Sequence, residues 1–141
     1  MKTNITVGQT YTFSKRISDE DVQEFAQVTG DHNPLHLDED YAAKSIFKKR
    51  IAHGMISAGV ISGGIGMYLP GEGTTYLGQD LQFKNPVFIE DTITITLRVL
   101  ELIEKTKFII AKLQTTCVNE EGKVVTDGIA TVIPPMVADN E

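Results

Sequence analysis

The sequence predicts an α+β fold in which one long buried helix is followed by an antiparallel sheet. Residues 51–69 contain no formal charge and are rich in glycine and branched apolar residues. From residue 75 onward, apolar and polar side chains alternate, as in strands with one buried face. A run of strands after a helix, without regular alternation of the two, favours the α+β class.

Before the long helix, the chain predicts a strand, a helix and a loop. Residues 11–17 alternate as a first strand. Ser18 and Asp21 have the spacing of a capping box, and the helix that begins there is expected to end at Gly30. Asp38 can cap a second, short helix over residues 41–45.

Residues 51–69 predict a helix buried on all sides rather than a membrane span. The segment is close to spanning length, but its five glycines, two serines and one histidine keep its hydrophobicity low. Glycine in a helix costs about 1 kcal/mol relative to alanine. We therefore expect Gly59, Gly63 and Gly66 to let the sheet approach the helix closely.

The second half of the chain predicts four strands, at residues 75–84, 92–104, 107–118 and 124–133. A hairpin loop is expected at residues 119–122, where Gly122 supplies a positive φ. Residues 137–141 are expected to form a frayed tail.

Composition limits the possible partners and compartment. A chain of 141 residues fits one domain, residues 1–141, and its net charge of −6 argues against nucleic acid as a partner. The single cysteine, Cys117, excludes an internal disulfide and fits the cytoplasm, and its strand-like surroundings predict a packed thiol. The cluster at residues 48–50, Lys-Lys-Arg, is either a solvated turn or a contact for phosphate.

The densest chemical motif is Gly-Asp-His-Asn-Pro-Leu-His at residues 30–36. Asp31 and His36 are five positions apart, in a segment where Pro34 predicts a stiff, non-helical loop. A carboxylate beside an imidazole suits proton transfer, although good turn chemistry also explains the motif. His32, His36, Asp38 and His53 could ligate a metal, but a non-helical loop does not align them, and no metal site is predicted.

The run Phe-Ala-Gln-Val-Thr-Gly-Asp-His-Asn-Pro-Leu-His at residues 25–36 resembles the signature of MaoC-like (R)-specific enoyl-CoA hydratases. Residues 51–55, 76–79 and 83–87 extend the resemblance, which covers roughly residues 7 to 134. The resemblance implies a hot-dog fold, in which a curled antiparallel sheet wraps a long central helix. It also implies a homodimer or a dimer of dimers, with active sites near the interface.

The resemblance further implies reversible addition of water to a short-chain trans-2-enoyl-CoA, giving (R)-3-hydroxyacyl-CoA. Asp31 and His36 would then be the acid–base pair, the Gly54 amide would bind the thioester oxyanion, and Ser62 would lie near the pair. His53 could be catalytic, but capping or packing at the start of the helix is favoured. Coenzyme A enters as part of the substrate, so no separate cofactor is expected.

Helical spacing predicts the wall of the acyl pocket. Ala58, Ile61 and Ile65 share a face with Gly54 by the i, i+4, i+7 rule. The two isoleucines would narrow the far end and favour acyl chains of roughly four to six carbons.

Other functions on the same fold remain open. One is an acyl-CoA thioesterase, and another is an acyl-carrier-protein dehydratase. A third is a non-catalytic acyl-CoA-binding domain. The pathway, the acyl carrier and the favoured direction do not follow from the residues.

Overall fold

A long helix lies against an antiparallel sheet in the structure, a computed structural model that describes residues 1–138. The helices are α1 (Asp19–Thr29), α2 (Pro34–Leu37), α3 (Glu39–Ala43) and α4 (Gly54–Met67). The strands are β1 (Lys2–Thr3), β2 (Thr10–Arg16), β3 (Thr75–Gln79), β4 (Gln82–Phe83), β5 (Thr92–Glu104), β6 (Ile109–Val118), β7 (Val124–Ile133) and β8 (Met136–Val137).

The main sheet has the order β2-β5-β6-β7-β3, and β4 also pairs with β7. All of its pairings are antiparallel, and α4 packs against β5 and β6 at the centre. This arrangement confirms the predicted α+β class and the hot-dog fold. Strand β2 forms one edge of the sheet, and β3 and β4, which both pair with β7, form the other.

The core forms between α4 and the alternating side chains of the central strands. Four alternate residues of β5 are buried, namely Ile93, Ile95, Leu97 and Val99. On α4, Ile56, Ile61 and Ile65 belong to the same buried cluster. Burying such a side chain contributes roughly 1.5–3 kcal/mol, so this face of the helix fixes its position on the sheet.

The expectation that α4 is buried on all sides is wrong, and so is the role given to three of its glycines. A Cβ built at Gly59, Gly63 or Gly66 would meet no atom within 4 Å. In the middle of the helix the sheet instead approaches Gly64, because a Cβ there would overlap the Phe13 ring. Only one face of this apolar helix packs on the sheet, and its other face is exposed.

Among the described residues, no helix is long and apolar enough to cross a membrane. Helix α4 has 14 residues. At about 1.5 Å per residue, it falls short of the roughly 30 Å of a bilayer core.

Helices α1 and α3 follow the prediction closely. Ser18 and Asp21 form the capping box, with their two reciprocal hydrogen bonds at 3.1 and 3.0 Å, and Gly30 ends α1 with a φ of 79°. The Asp38 carboxylate caps α3 by accepting from the Tyr41 amide at 3.1 Å. Helix α3 begins two residues earlier than predicted, directly after its cap.

The strands match the prediction at 92–104 and 124–133, and β6 begins two residues late. The predicted strand 75–84 is broken into β3 and β4. At the break, the Asp80 amide donates to the Ile129 carbonyl and its carboxylate accepts from the Ile129 amide, both at 3.1 Å. Asp80 thus caps the ladder and redirects the chain.

The hairpin between β6 and β7 is ordered by local hydrogen bonds. The Asn119 side chain accepts from the amides of Glu121 and Lys123 at 3.0 Å, and Gly122 has a φ of 80°, which confirms the hairpin loop. Val137, which was expected to lie in a frayed tail, instead pairs with Lys2 in the two-stranded sheet of β1 and β8. Residues 139–141 lie outside the described residues.

Cys117 is buried in the core on β6, which confirms the packed thiol. Burial raises the pKa of the thiol to about 11, although a hydrogen bond to Ser57 partly opposes this rise. Because the thiolate is the nucleophile, we expect iodoacetamide at pH 8 to leave the folded protein unlabelled and to label it after unfolding in guanidinium. Mass spectrometry of the two samples checks this, and rapid labelling of the folded protein would contradict it.

Candidate active site

The loop after α1 holds the Asp31 side chain by short-range hydrogen bonds. The Asp31 amide donates to the Thr29 hydroxyl at 3.2 Å. The Asp31 carboxylate accepts from the Asn33 amide at 3.2 Å. These local turns orient the carboxylate before any long-range contact is made.

The predicted non-helical loop is wrong for its second half, because residues 34–37 form the short helix α2. Asn33 caps this helix by accepting from the Leu35 amide at 3.0 Å, and Pro34 occupies its first position. Proline lacks only an N–H that the first turn leaves unpaired, and its fixed φ suits a helix start. Helix α2 places His36 in the interior, where 8% of its surface is exposed.

Residues 50 and 51 fix His36 from two sides. Its Nδ1 lies 2.8 Å from the Ile51 carbonyl oxygen. A carbonyl only accepts, so Nδ1 donates and Nε2 keeps the lone pair. The Arg50 Nε donates to the His36 carbonyl at 2.6 Å, and the same guanidinium pairs with Asp19 at 2.5 Å.

The structure brings Asp31, His36 and His53 together. One nitrogen or oxygen atom from each side chain lies within 4.8 Å of those of the other two. The sequence paired Asp31 with His36 but assigned His53 to the helix start. His53 makes no side-chain cap hydrogen bond there. Its Nε2 lies 3.0 Å from the Asp31 backbone carbonyl, and its ring centroid lies 4.0 Å from that of His36.

A carboxylate and two imidazoles are also a set that a divalent cation can use. His32 and Asp38, which the sequence offered as further ligands, do not belong to this group. Each of the two histidines has one ring nitrogen against a backbone carbonyl, which leaves one nitrogen on each ring for another partner. The absence of a metal stays a prediction.

Gly54 opens α4 beside this cluster. The first amides of a helix have no acceptor within the helix, and the positive end of its dipole lies there. Gly54 and His36 both line a cavity of about 370 Å³, together with Met55, Ser57 and Phe83. An imidazole and an unpaired helix amide therefore border one space.

A second cavity, of about 520 Å³, runs along the exposed side of α4. It is lined by Phe25, Met55, Ala58, Gly59, Ser62, Tyr76, Gln79, Leu81 and Phe83. Met55 and Phe83 line both cavities, which makes them neighbours. Ala58 and Ser62 line this second cavity, which adjoins the cavity beside His36, and the placement of Ser62 near the acid–base pair stays a prediction.

Ile61 and Ile65 do not line either cavity, and their placement in the pocket wall is wrong. Their exposed fractions are 0% and 1%, and both pack in the core. The face of α4 that carries Ile61 and Ile65 packs on the sheet. The cavity instead follows the neighbouring face, from Met55 to Ser62.

The basic cluster at residues 48–50 is not a free phosphate patch. Arg50 is engaged by Asp19 and the His36 carbonyl, and the Lys49 ammonium lies 4.5 Å from the centre of the Phe88 ring. Four carboxylates line the same cleft, from Asp19, Glu39, Glu90 and Asp91. The hydrogen bond to Arg50 lowers the pKa of Asp19, so this ion pair persists to acidic pH.

Comparison with known proteins agrees with this geometry. Residues 2–122 match the family described as MaoC like domain. The chain is 48% identical to the (R)-specific enoyl-CoA hydratase of Rhodospirillum rubrum, across 94% of this chain and 90% of the relative. It is 45% identical to the 3-hydroxybutyryl-CoA dehydratase of Methylorubrum extorquens, across 94% and 82%. The solved (R)-hydratase from A. caviae involved in PHA biosynthesis matches with a TM-score of 0.88 and 41% identity, across 94% of this chain and 98% of that one.

Proposed function

The chain belongs to the MaoC-like domain family, and from that premise we propose that it is an (R)-specific enoyl-CoA hydratase. It adds water reversibly to a trans-2-enoyl-CoA and gives the (R)-3-hydroxyacyl-CoA. The observation that carries the proposal is the meeting of the Asp31 carboxylate, the His36 imidazole and the Gly54 end of α4 beside one cavity.

Hydration requires that water add at C3, that a proton reach C2, and that the negative charge developing on the thioester oxygen be stabilised. Asp31 and His36 orient and deprotonate the water and return the proton. The Nδ1 of His36 is held by the Ile51 carbonyl, so Nε2 is the ring atom that exchanges the proton. The Gly54 amide binds the oxyanion at the positive end of α4.

The proposed enzyme needs no separate cofactor, since coenzyme A arrives with the acyl group. We place it in the cytoplasm, a setting supported by its single, buried cysteine. The paired carboxylate and imidazole support hydration over a purely binding role. The names of the two curated relatives support a hydratase over a thioesterase.

The deciding experiment measures the turnover of crotonyl-CoA by protein that has been dialysed against EDTA. Loss of the enoyl absorbance, no release of free thiol and a product of R configuration on chiral analysis are expected. Release of coenzyme A from a saturated acyl-CoA would instead show a thioesterase, and binding without turnover would show a non-catalytic domain. A parallel assay with crotonyl-acyl-carrier protein identifies the preferred carrier.

The active form is proposed to be a homodimer. The outer face of α4 exposes Met55, Gly59, Gly63 and Met67, and strand β3 has an unpaired edge. An apolar helix face and an open edge are both surfaces that a second copy can cover. Light scattering at the assay concentration is expected to give the mass of a dimer or of a dimer of dimers. An active monomer would contradict this prediction.

We propose that the 520 Å³ cavity takes the acyl chain and favours roughly four to six carbons. Its far wall is held by hydrogen bonds, from Tyr76 to Gln79 and from Gln79 to the buried Thr115 hydroxyl at 3.0 Å. Ile65→Ala would not test this wall directly, because its first effect is a hole in the core that costs about 2–5 kcal/mol.

Ala58→Leu tests the wall without removing core packing. The larger side chain is expected to lower kcat/KM for C8 enoyl-CoA relative to C4 by about 10–200-fold, since each misfit methylene costs about 1–3 kcal/mol. Val60→Leu adds a methylene to the same helix but away from this cavity, and it should leave the ratio unchanged. An unchanged ratio in Ala58→Leu would place the acyl chain elsewhere.

A further inference from the structure

His53 occupies the position before α4, yet the helix start does not explain it. Only 2% of its surface is exposed, and its side chain makes no hydrogen bond to the helix it precedes. Serine, threonine, aspartate or asparagine there would satisfy a free helix amide. The reason for a histidine must lie in its other contacts.

The His53 side chain contacts both members of the acid–base pair. Its Nε2 lies 3.0 Å from the Asp31 backbone carbonyl, which can only accept, so Nε2 carries the hydrogen and donates. Its ring lies 4.0 Å from the His36 ring, centre to centre, at an angle of 32°. The Phe25 ring lies 4.8 Å away and holds the imidazole in place.

The second ring nitrogen of His53, Nδ1, indicates that this residue does more than fill space in the core. The Nδ1 of His53 is buried without a hydrogen-bond partner among the described residues. Buried polar atoms are nearly always paired, and an apolar side chain would fill this space without that penalty. Burial lowers the pKa of His53, which keeps the ring neutral beside His36. A neutral neighbour does not oppose the positive charge that His36 gains when it takes up a proton.

We propose that His53 is a positioning residue that holds the Asp31 loop against the His36 ring, an inference that rests on the hydratase activity proposed above. Local turns orient the Asp31 carboxylate within its own exposed loop, but they do not fix that loop against His36, which lies on the separate helix α2. The donor on His53 joins the loop to the start of α4. A displacement of about 1 Å can lower the rate of a positioned reaction by about 10²-fold.

Three substitutions test whether the hydrogen-bond donor of His53 or its ring is required. His53→Gln places an amide donor where Nε2 stood, whereas His53→Asn places it where Nδ1 stood. His53→Phe keeps the ring and has no donor. With crotonyl-CoA, His53→Asn and His53→Phe are expected to lower kcat by about 10²-fold with little change in KM, and His53→Gln should recover most of that loss. The Tm of each variant shows whether it folds.

The outcomes are distinct. Wild-type kcat in folded His53→Asn and His53→Phe would overturn the inference, as would a folded His53→Gln no better than His53→Asn. An inactive wild type would instead contradict the proposed function. Nitrogen-15 imidazole spectra provide a readout that is independent of turnover. They should show the Nε2–H tautomer of His53, and the Nδ1–H tautomer would overturn the inference.

Discussion

Replacing Asp31 with asparagine or His36 with asparagine or glutamine is expected to lower kcat by about 10²–10⁴-fold while the protein stays folded. Each change keeps a similar size but removes the group that exchanges a proton. Asparagine at position 31 can still accept from the Asn33 amide through its Oδ1, as the carboxylate does. The turn around it should therefore survive.

The two His36 variants differ in a useful way. The Nδ1 of His36 donates to the Ile51 carbonyl, and an asparagine amide reaches the same place. Glutamine places its donor further out and leaves that carbonyl without its partner. We therefore expect equal loss of turnover in the two variants, but a lower Tm for His36→Gln. Stopped assays and thermal melts measure these effects separately.

The Asp31→Asn, His36→Asn double variant should be little worse than either single variant, because groups that act as a unit are not additive. Asp40→Asn, on the exposed side of α3, is a matched control that should keep full activity. Near-normal kcat in either single active-site variant, with the substitution confirmed, would remove the acid–base pair from the mechanism.

The sequence predicted those elements whose causes are local. The capping box of Ser18 and Asp21, the end of α1 at Gly30, and the loop at Asn119 all depend on neighbouring residues. Strands β5 and β7 match their predicted bounds, although a bulge between Val99 and Glu101 interrupts the alternation in β5 and burial along β7 does not alternate strictly. The break at Asp80 was missed, since it depends on pairing with Ile129, far away along the chain.

The errors about α4 share one physical cause. An apolar pattern all round α4 does not tell which face the sheet covers, so Gly59 and Gly63 were assigned to a contact that Gly64 makes. The same ambiguity sent Ile61 and Ile65 to the pocket instead of the core. The error at Pro34 has a separate cause, because proline disrupts the interior of a helix but is favoured at its first position, which Pro34 occupies in α2.

The pairing of Asp31 with His36 was predictable because one short motif contains both residues. Their supports were not predictable, since Arg50 and His53 are 14 and 22 residues away from the backbone groups they bind. The available signal was the cluster of polar residues just before a long apolar helix, at residues 50 and 53. Polar residues at such a position indicate that the start of the helix faces a functional site.

The second large effect is expected at Gly54, where a pair of variants isolates one backbone donor. Gly54→Pro removes the amide hydrogen that we assign to the oxyanion. Proline is favoured at the first position of a helix, and His53 has a φ of −60° and a ψ of 135°, which suits a residue before proline. The helix should therefore start at the same place.

Gly54→Ala is the control because it adds a Cβ but keeps the amide. That Cβ would lie 2.9 Å from the Phe83 ring in both variants, and the ring is 52% exposed and free to shift. Removing an oxyanion donor typically lowers kcat by about 10²–10³-fold, so Gly54→Pro should be slower than Gly54→Ala by that factor with crotonyl-CoA. Equal kcat in two folded variants would show that another donor holds the oxyanion. The Met55 amide, which is also in the first turn of α4, would then be the donor to test.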